Sequence, residues 1–192
     1  MAATITAIPT PDLSHLKRDD WERVYEPSED TFALLDALEM DSEWIKSSQP
    51  NVVFEIGSGT TISTGDLNGC NLNTITTHLL NGTRLDGAVD ILLFNPPYVP
   101  TNGGEILHSQ ASRHLSAAWS GGSYGMDLTE RVLSDLPRLL SGSGVLYLVA
   151  IKQNRPADIV DRLNRTSIFE ASILLSRRAG IEMLYIIKCS RK

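Results

Sequence analysis

A proline-rich tetrapeptide, Asn95-Pro96-Pro97-Tyr98, directly follows the apolar run 91–94. The run has the length and residue types of a strand that is buried on both faces of a parallel sheet. Neither proline supplies a backbone N–H, so the strand must end at Asn95, and the residue before each proline is restricted to extended or turn geometry. We therefore expect a rigid corner at the carboxyl end of a parallel strand, where open α/β sheets bind their ligands.

The chemistry of this corner suits a planar NH₂ group. The side-chain oxygen of Asn95 and the carbonyl oxygen of Pro96 can each accept one N–H of an amide or an exocyclic amine. Holding both hydrogens aims the nitrogen lone pair at an electrophile, and the Tyr98 ring can stack on a flat substrate. The alternative interpretation is a turn at the end of a strand with an adventitious tyrosine.

A second candidate site lies at the end of the strand predicted for residues 51–55. There Glu55 is followed by Gly57 and Gly59. Glycines in such a turn allow a ligand to approach the backbone closely, and a carboxylate at the end of the strand can accept hydrogen bonds from hydroxyl groups. The pattern is typical of the first turn of a nucleotide-type α/β fold, although a single Gly-x-Gly pair is equally consistent with an ordinary turn.

A helix predicted before these two turns has further candidate site residues near its start. Ser28 is a suitable N-cap, two acids follow it in the first turn, and apolar residues recur at helical spacing to position 38. We expect a capped helix here. Tyr25 and Thr31 are candidates for the wall of a pocket.

The second half of the chain alternates helix and strand signals. The Ser-Gly-Ser-Gly sequence at 141–144 predicts a break after a helix, and residues 176–180 predict the loop of a final antiparallel hairpin. Two glycine-bearing loops, 101–104 and 117–125, are candidates for lids or substrate clamps. The predicted elements are helices over 128–140 and 156–163 and strands over 145–151, 169–175 and 183–188.

The segment between residues 60 and 88 is too short for the fold that surrounds it. A βαβ unit needs about thirty residues, and this stretch must cover two of them. It is also rich in Thr, Asn and Gly and has little helical periodicity. We expect a segment to be missing here, either because disordered stretches of the protein are absent from this sequence, which we favour, or because the fold itself is truncated.

Bulk composition predicts one folded domain. A chain of 192 residues with 42% hydrophobic residues can bury a full core, and we expect a mobile leader over 1–12 and a single domain over 13–192. The formal net charge of -6 disfavours a nucleic acid as the main partner, because phosphate binding needs clustered Lys and Arg.

The cysteines and histidines predict neither a disulfide framework nor a metal site. The two cysteines have no CxxC spacing, which suits a reducing compartment, and the four histidines lack metal-ligand spacing. Neither a membrane span nor a signal peptide is predicted. We expect an intracellular protein, in the cytoplasm and also in the nucleus.

With these pieces in order, the chain resembles the Rossmann-like S-adenosylmethionine-dependent methyltransferases, and more narrowly the eukaryotic and archaeal branch of the HemK-type glutamine methyltransferases. The Asn-Pro-Pro-Tyr string is shared with adenine-N6 methyltransferases, whereas the Tyr-Glu-Pro segment and the Trp-Ser-Gly-Gly loop are more specific to this branch. The motifs are Tyr-Glu-Pro-Ser-Glu-Asp-Thr-Phe at 25–32, Glu-Ile-Gly-Ser-Gly at 55–59, Phe-Asn-Pro-Pro-Tyr-Val at 94–99, Ala-Ala-Trp-Ser-Gly-Gly at 117–122 and Leu-Ser-Arg-Arg-Ala-Gly at 175–180.

The resemblance implies an α/β sheet of seven strands with a C-terminal antiparallel hairpin. It also implies methylation of the glutamine side-chain nitrogen in the Gly-Gly-Gln motif of a peptide-chain release factor, with S-adenosylmethionine as the cofactor. The partner implied is a small zinc-binding activator protein, which forms a heterodimer with the catalytic chain. A histone lysine is implied as a second substrate.

The resemblance also assigns roles to individual residues. Asn95 and the Pro96 carbonyl would orient the glutamine amide, Tyr98 would pack against it, and Pro97 would complete the catalytic tetrapeptide. Glu55 would take the ribose hydroxyls of the cofactor. The full set of implied cofactor-binding residues is Tyr25, Thr31, Glu55, Gly57, Gly59, Asp66, His78, Leu79 and Asn95.

Two features depart from the family pattern. Asp66, the best match to the family's strand-two acid, follows Gly59 too soon for a helix to lie between them, and Thr61 replaces the third glycine. Two alternatives to the glutamine methyltransferase therefore stay open. One is an adenine-N6 methyltransferase acting on nucleic acid, and the other is a truncated, non-catalytic isoform that only binds partners.

Overall fold

The apolar run that precedes Asn95 forms a buried strand, β2 (Val89–Phe94), in a computed structural model of the chain. The structure describes residues 7–21, 24–58, 62–98 and 126–192. Within these ranges, no helix is long and apolar enough to cross a membrane. The other strands are β1 (Val53–Ile56), β3 (Leu140–Ile151), β4 (Phe169–Ala179) and β5 (Glu182–Arg191); the helices are α1 (Glu29–Met40), α2 (Ser42–Ser48), α3 (Ile62–Leu67), α4 (Asp127–Leu139) and α5 (Pro156–Arg165), with a 3₁₀ turn at Lys152–Asn154.

The five strands of the described residues form one mixed sheet. Their order is β1-β2-β3-β5-β4. Strands β1, β2 and β3 are parallel, and β5 is antiparallel to both of its neighbours. The predicted α/β class and the antiparallel C-terminal hairpin are therefore confirmed.

Helices cover both faces of the sheet, which explains why β2 is apolar on both sides. Leu92 and Phe94 join the cluster that α4 and α5 cover, whereas Ile91 joins the cluster that α1 covers. Burying one such side chain is worth about 1.5–3 kcal/mol. Because the strand is packed from both sides, the corner that follows it is attached to a firmly held element.

The predicted break at 141–144 is wrong, because these residues belong to strand β3. Helix α4 ends at Leu139, as expected, but the chain passes directly into the strand. A Cβ atom on Gly144 would lie 2.5 Å from the carbonyl oxygen of Val89, so glycine allows the two strands to approach closely. The pairing of β2 with β3 shifts register between Val89 and Ile91, where this approach occurs.

The final hairpin is longer than predicted. Its strands continue to Ala179 and resume at Glu182, so the loop predicted over 176–180 shortens to Gly180 and Ile181. The polar residues that indicated a loop lie in β4, an edge strand, and Arg177 forms an ion pair with Asp36 of α1. Polar residues on an edge strand resemble a loop in sequence because that edge faces solvent.

Residues 62–88 contain α3 followed by turns, and no strand is described in them. The two further strands of the expected seven are therefore not among the described residues. As a result, β1 lies at the edge of the described sheet, and the Val53 side chain is 55% exposed.

Candidate active site

The carboxyl ends of β1 and β2 bring the two predicted turns side by side. Ile56 pairs with Phe94 in the parallel register, so Gly57 and Asn95 follow neighbouring strands at the same edge of the sheet. Gly57 has φ +86°, a conformation that other residues rarely adopt, and no atom of the described residues lies within 4 Å of the position of a Cβ. The turn thus has a glycine-dependent backbone that the described part of the chain does not cover.

A buried carboxylate joins the β2 corner to the start of α1. Asp30 is 4% exposed and lies in the first turn of α1, where the partial positive charge of the helix N-terminus favours an acid. Its Oδ1 accepts hydrogen bonds from the Thr31 backbone N–H (2.8 Å) and the Tyr25 hydroxyl (3.1 Å). Its Oδ2 accepts hydrogen bonds from the Asn95 Nδ2 (3.0 Å) and the Tyr98 hydroxyl (2.8 Å).

The other polar atom of the Asn95 side chain has no hydrogen bond with any residue that the structure describes. Oδ1 of Asn95 is buried, and within the described residues it meets no donor. Leaving a buried acceptor unpaired costs about 1–3 kcal/mol. Such an atom next to a rigid corner is a place where a donor from a bound molecule would restore the missing interaction.

The two tyrosines act as donors in this cluster. Burial and then the neighbouring Asp30 charge raise the pKa of Tyr98 well above its ordinary value, and the same two causes raise the pKa of Tyr25. Both phenols therefore stay protonated at neutral pH. The backbone carbonyl of Tyr98 also accepts a hydrogen bond from Asn154 Nδ2 (3.0 Å), and Asn154 Oδ1 accepts one from the Ile151 N–H at the end of β3.

Glu55 supplies a carboxylate beside the glycine turn. Its side chain is exposed by surface area, yet enough protein surrounds the carboxyl group to remove part of its hydration. This desolvation raises the pKa of Glu55, and a hydrogen bond with Ser58 opposes the rise. A partly desolvated carboxylate with spare acceptor capacity is suited to bind hydroxyl groups.

The structure brings together four of the predicted site residues, Tyr25, Thr31, Asn95 and Tyr98, around Asp30. Glu55 and Gly57 lie at the same edge of the sheet, as do Pro96 and Pro97 in the corner itself, with Pro96 buried.

Other predicted residues lie elsewhere or outside the described residues. Asp66 is an exposed residue of helix α3, so it does not occupy the end of a second strand. His78 is exposed, and Leu79, with φ +54°, packs against the apolar core. Gly59 and the two candidate lid loops lie outside the described residues.

Sequence reasoning missed the part that Asp30 plays. The preference for acids near a helix N-terminus already explains an aspartate shortly after Ser28. The sequence therefore gives no separate reason to assign Asp30 to the site. The signal that could have found it is the adjacent Thr31, together with Tyr25 five positions earlier. A carboxylate within a run of candidate site residues is itself a candidate.

No family model matches the chain. It is 35% identical over 223 residues to the eRF1 methyltransferase catalytic subunit mtq2 of Schizosaccharomyces pombe, an alignment that covers 95% of each protein. It is 33% identical over 213 residues to Methyltransferase HEMK2 of Homo sapiens, which covers 95% of this chain and 96% of that one. Among solved structures, it is similar to the E. cuniculi Mtq2-Trm112 complex, with a TM-score of 0.60, 28% identity and coverage of 88% of this chain and 99% of that chain.

Proposed function

The chain belongs to the family of the Mtq2 and HEMK2 methyltransferases, and we propose that it transfers a methyl group from S-adenosylmethionine to a glutamine side-chain nitrogen of a translation release factor. Membership of this family confirms the resemblance inferred from the motifs. The proposed acceptor is the glutamine of the Gly-Gly-Gln motif, and a histone lysine is a second proposed acceptor. The fission yeast relative is named for its action on eRF1, which supports the release factor as substrate.

One observation carries the proposal: Oδ1 of Asn95 is buried and has no partner among the residues that the structure describes. A glutamine NH₂ group has two N–H donors in one plane, and Asn95 Oδ1 and the Pro96 carbonyl are acceptors of the right kind to hold both. An amide nitrogen is a poor nucleophile, so the site must act by positioning the nitrogen and its lone pair. The Tyr98 ring, whose hydroxyl is fixed by Asp30, would pack against the flat amide.

The residues present fit S-adenosylmethionine. When bound, this cofactor supplies an electrophilic methyl group on a positively charged sulfonium. Glu55 can accept hydrogen bonds from the two ribose hydroxyls, because its carboxylate is partly desolvated and has free acceptor capacity beyond Ser58. Beside the Gly57 backbone, no atom of the described residues lies within 4 Å of the position of a Cβ. Tyr25, Thr31, Gly59 and Asn95 complete this proposed set, and Asp66, His78 and Leu79 belong to it on the family resemblance alone.

We propose that the chain works as a heterodimer with a small zinc-binding protein of the Trm112 type. The similar E. cuniculi protein is a complex with Trm112, which supports this partner. The edge of β1 is unpaired within the described sheet, and an added strand from the partner could satisfy its backbone groups. We also propose that residues 13–192 form the single domain, after a leader over 1–12, and that it works in the cytoplasm and the nucleus.

The family sheet would have seven strands, and we propose that this chain is shortened between residues 60 and 88. The alignment with the fission yeast relative spans 223 positions, whereas the chain has 192 residues, so the alignment must open gaps in this chain. The short α3 and the turns after it, in place of further strands, agree with a shortened segment.

The test is a methyl-transfer assay with isotope-labelled S-adenosylmethionine. The full chain, co-purified with a Trm112-type partner, would be given a release-factor domain with the Gly-Gly-Gln motif, the same domain with Gln replaced by Ala, and single-stranded and duplex DNA. We expect label only in the Gln-containing domain and loss of transfer in Asn95→Ala, with folding preserved. Label in DNA would replace the proposal by the adenine-N6 activity, and cofactor binding without any transfer would indicate the non-catalytic alternative.

A further inference from the structure

The geometry around Asp30 points to a role that goes beyond the proposed function and rests on it. We propose that Asp30 is a positioning residue that fixes the orientation of the Asn95 amide. By holding Nδ2 of Asn95, it keeps Oδ1 turned away from itself and free to accept an N–H of the substrate amide.

Elementary hydrogen-bond chemistry supports this assignment of the amide. An ionised carboxylate only accepts hydrogen bonds, and the two ends of an Asn side chain differ in that Nδ2 donates and Oδ1 accepts. Asn95 Nδ2 lies 3.0 Å from Asp30 Oδ2. If the amide were reversed, two acceptor oxygens would face each other and the Asn95 donors would lose a charged partner. The charge on Asp30 therefore selects one of the two orientations.

The same contacts exclude a catalytic role for Asp30 itself. Its two oxygens already accept hydrogen bonds from five donors: the Tyr25 hydroxyl, the Thr31 N–H, the Thr31 hydroxyl, Asn95 Nδ2 and the Tyr98 hydroxyl. The carboxylate is also 4% exposed. Little acceptor capacity remains for a substrate proton, so Asp30 acts through Asn95 and Tyr98.

Asp30 also joins two elements that the site requires together. Asp30 and Thr31 belong to the first turn of α1, whereas Asn95 and Tyr98 belong to the corner after β2. Asn95 and Tyr98 donate to the same oxygen, Oδ2, so one atom sets the relative position of the amide and the aromatic ring. A misplaced acceptor in such a site can cost about 100-fold in rate.

An exchange of the two side chains tests the proposal. Asp30→Asn introduces an NH₂ group that permits the reversed Asn95 amide, and Asn95→Asp places a second carboxylate against the first. We expect each single variant to lower the single-turnover rate of methyl transfer by about 100-fold. In the double variant, the amide now at position 30 can donate to one oxygen of the carboxylate now at position 95 and leave the other oxygen free for the substrate.

The double variant should therefore transfer methyl at least about tenfold faster than either single variant, which is the signature of a direct interaction in a double-mutant cycle. Glu29→Gln, at an exposed acid of the same helical turn, is the matched control and should keep the rate within about twofold. A double variant that is no faster than the slower single variant would overturn the proposal, as would an Asp30→Asn variant with the wild-type rate.

A second measurement does not depend on the identity of the substrate. The side-chain amide protons of Asn95 are followed by NMR in the full chain with its partner. We expect the wild-type resonance of the proton on the Asp30 side to shift upfield in Asp30→Asn and to stay in place in Glu29→Gln. An unchanged resonance in Asp30→Asn would contradict the contact. If wild-type protein methylates no glutamine domain, the proposed function fails, and this measurement alone decides the role of Asp30.

Discussion

The Oδ1 atom of Asn95 distinguishes this site from an ordinary turn at the end of a strand. Asn95 is held through Nδ2 by Asp30, and its Oδ1 is buried without a donor among the described residues. Pro96 and Pro97 stiffen the backbone around it. The residue types and spacing of the tetrapeptide could be predicted from the sequence alone. The carboxylate that orients the amide could not, because it lies 65 residues away in the chain and only folding brings it close.

At the residue scale, Glu55 gives a pH-dependent prediction. Desolvation raises its pKa, so lowering the pH through that raised pKa protonates the carboxyl group and weakens its acceptance of the ribose hydroxyls. We expect S-adenosylmethionine to bind more weakly near pH 5 than near pH 8, as measured by isothermal titration calorimetry. Glu55→Gln should bind about tenfold more weakly than wild type near pH 8 and should lose this pH dependence.

The control for this measurement is Glu170→Gln, which changes an exposed acid of β4. It should leave both the affinity and its pH dependence at wild-type values. Two results together would remove Glu55 from the cofactor site. The affinity of wild type for S-adenosylmethionine would be the same at both pH values, and Glu55→Gln would bind it as tightly as wild type.

At the element scale, the start and the type of most helices and strands follow from local patterns, while their ends depend on neighbours. The β2 strand, the Ser28-capped helix and the Pro156 helix all begin close to where the sequence predicts. The Ser-Gly-Ser-Gly segment does not break the chain, because its glycine lies against the backbone of β2. Polar residues extend β4 beyond its predicted end, because an edge strand tolerates them. Such contacts between distant segments are not visible in local sequence.

Gly144 offers a test of this close approach between strands. Gly144→Ala would place a Cβ 2.5 Å from the Val89 carbonyl oxygen, which is backbone and cannot move aside easily. We expect the free energy of unfolding to fall by about 1–3 kcal/mol, measured by urea denaturation. The matched control is Gly142→Ala in the same strand, where no atom of the described chain lies within 4 Å of the new Cβ and little change is expected. Equal stabilities of the two variants would contradict the packing described here.

Asp90 links the beginnings of three strands and makes part of the stability dependent on pH. Its Oδ2 accepts hydrogen bonds from the Asn51 and Val52 N–H groups, and its Oδ1 accepts one from the Ser141 hydroxyl. These bonds, the Ser141 bond above all, hold the pKa of Asp90 below its ordinary value of 3.8. The stabilisation is therefore complete above the unfolded-state pKa and is lost as the pH falls through the lower folded-state pKa.

We expect Asp90→Asn to lower the free energy of unfolding by about 1 kcal/mol at neutral pH, since solvent screens part of the effect at this partly exposed site. The difference from wild type should shrink as the pH falls below the folded-state pKa of Asp90. Urea denaturation at a series of pH values measures it. A constant difference across the series would show that the Asp90 charge is not responsible.

At the scale of the whole molecule, the two edges of the described sheet differ. The C-terminal hairpin supplies one edge, the long strand β4, whereas the other edge is the short parallel strand β1. The shortness of the segment between residues 60 and 88 predicts missing strands beyond β1, and this stays a prediction. The sequence could not indicate what lies against β1, because edge pairing leaves no periodic pattern in the strand itself.

Hydrogen exchange tests the proposed partner at this edge. If a Trm112-type protein adds a strand to β1, the backbone amides of Val53–Ile56 that point away from β2 should exchange more slowly in the complex than in the isolated chain. The opposite edge strand, β4, serves as the internal control and should exchange equally in both. Slower exchange at β4 and none at β1 would place the partner on the other side of the sheet.

The central claim is that Asn95 Oδ1 and the Pro96 carbonyl hold the two hydrogens of a glutamine amide. A crystal structure of the full chain and its partner, with S-adenosylhomocysteine and a Gly-Gly-Gln peptide, tests it most directly. We predict that the glutamine nitrogen lies within about 3.2 Å of both oxygens, with Asn95 Nδ2 still on Asp30. A glutamine amide bound elsewhere, or an Asn95 whose Oδ1 faces a protein donor instead of the peptide, would contradict the claim.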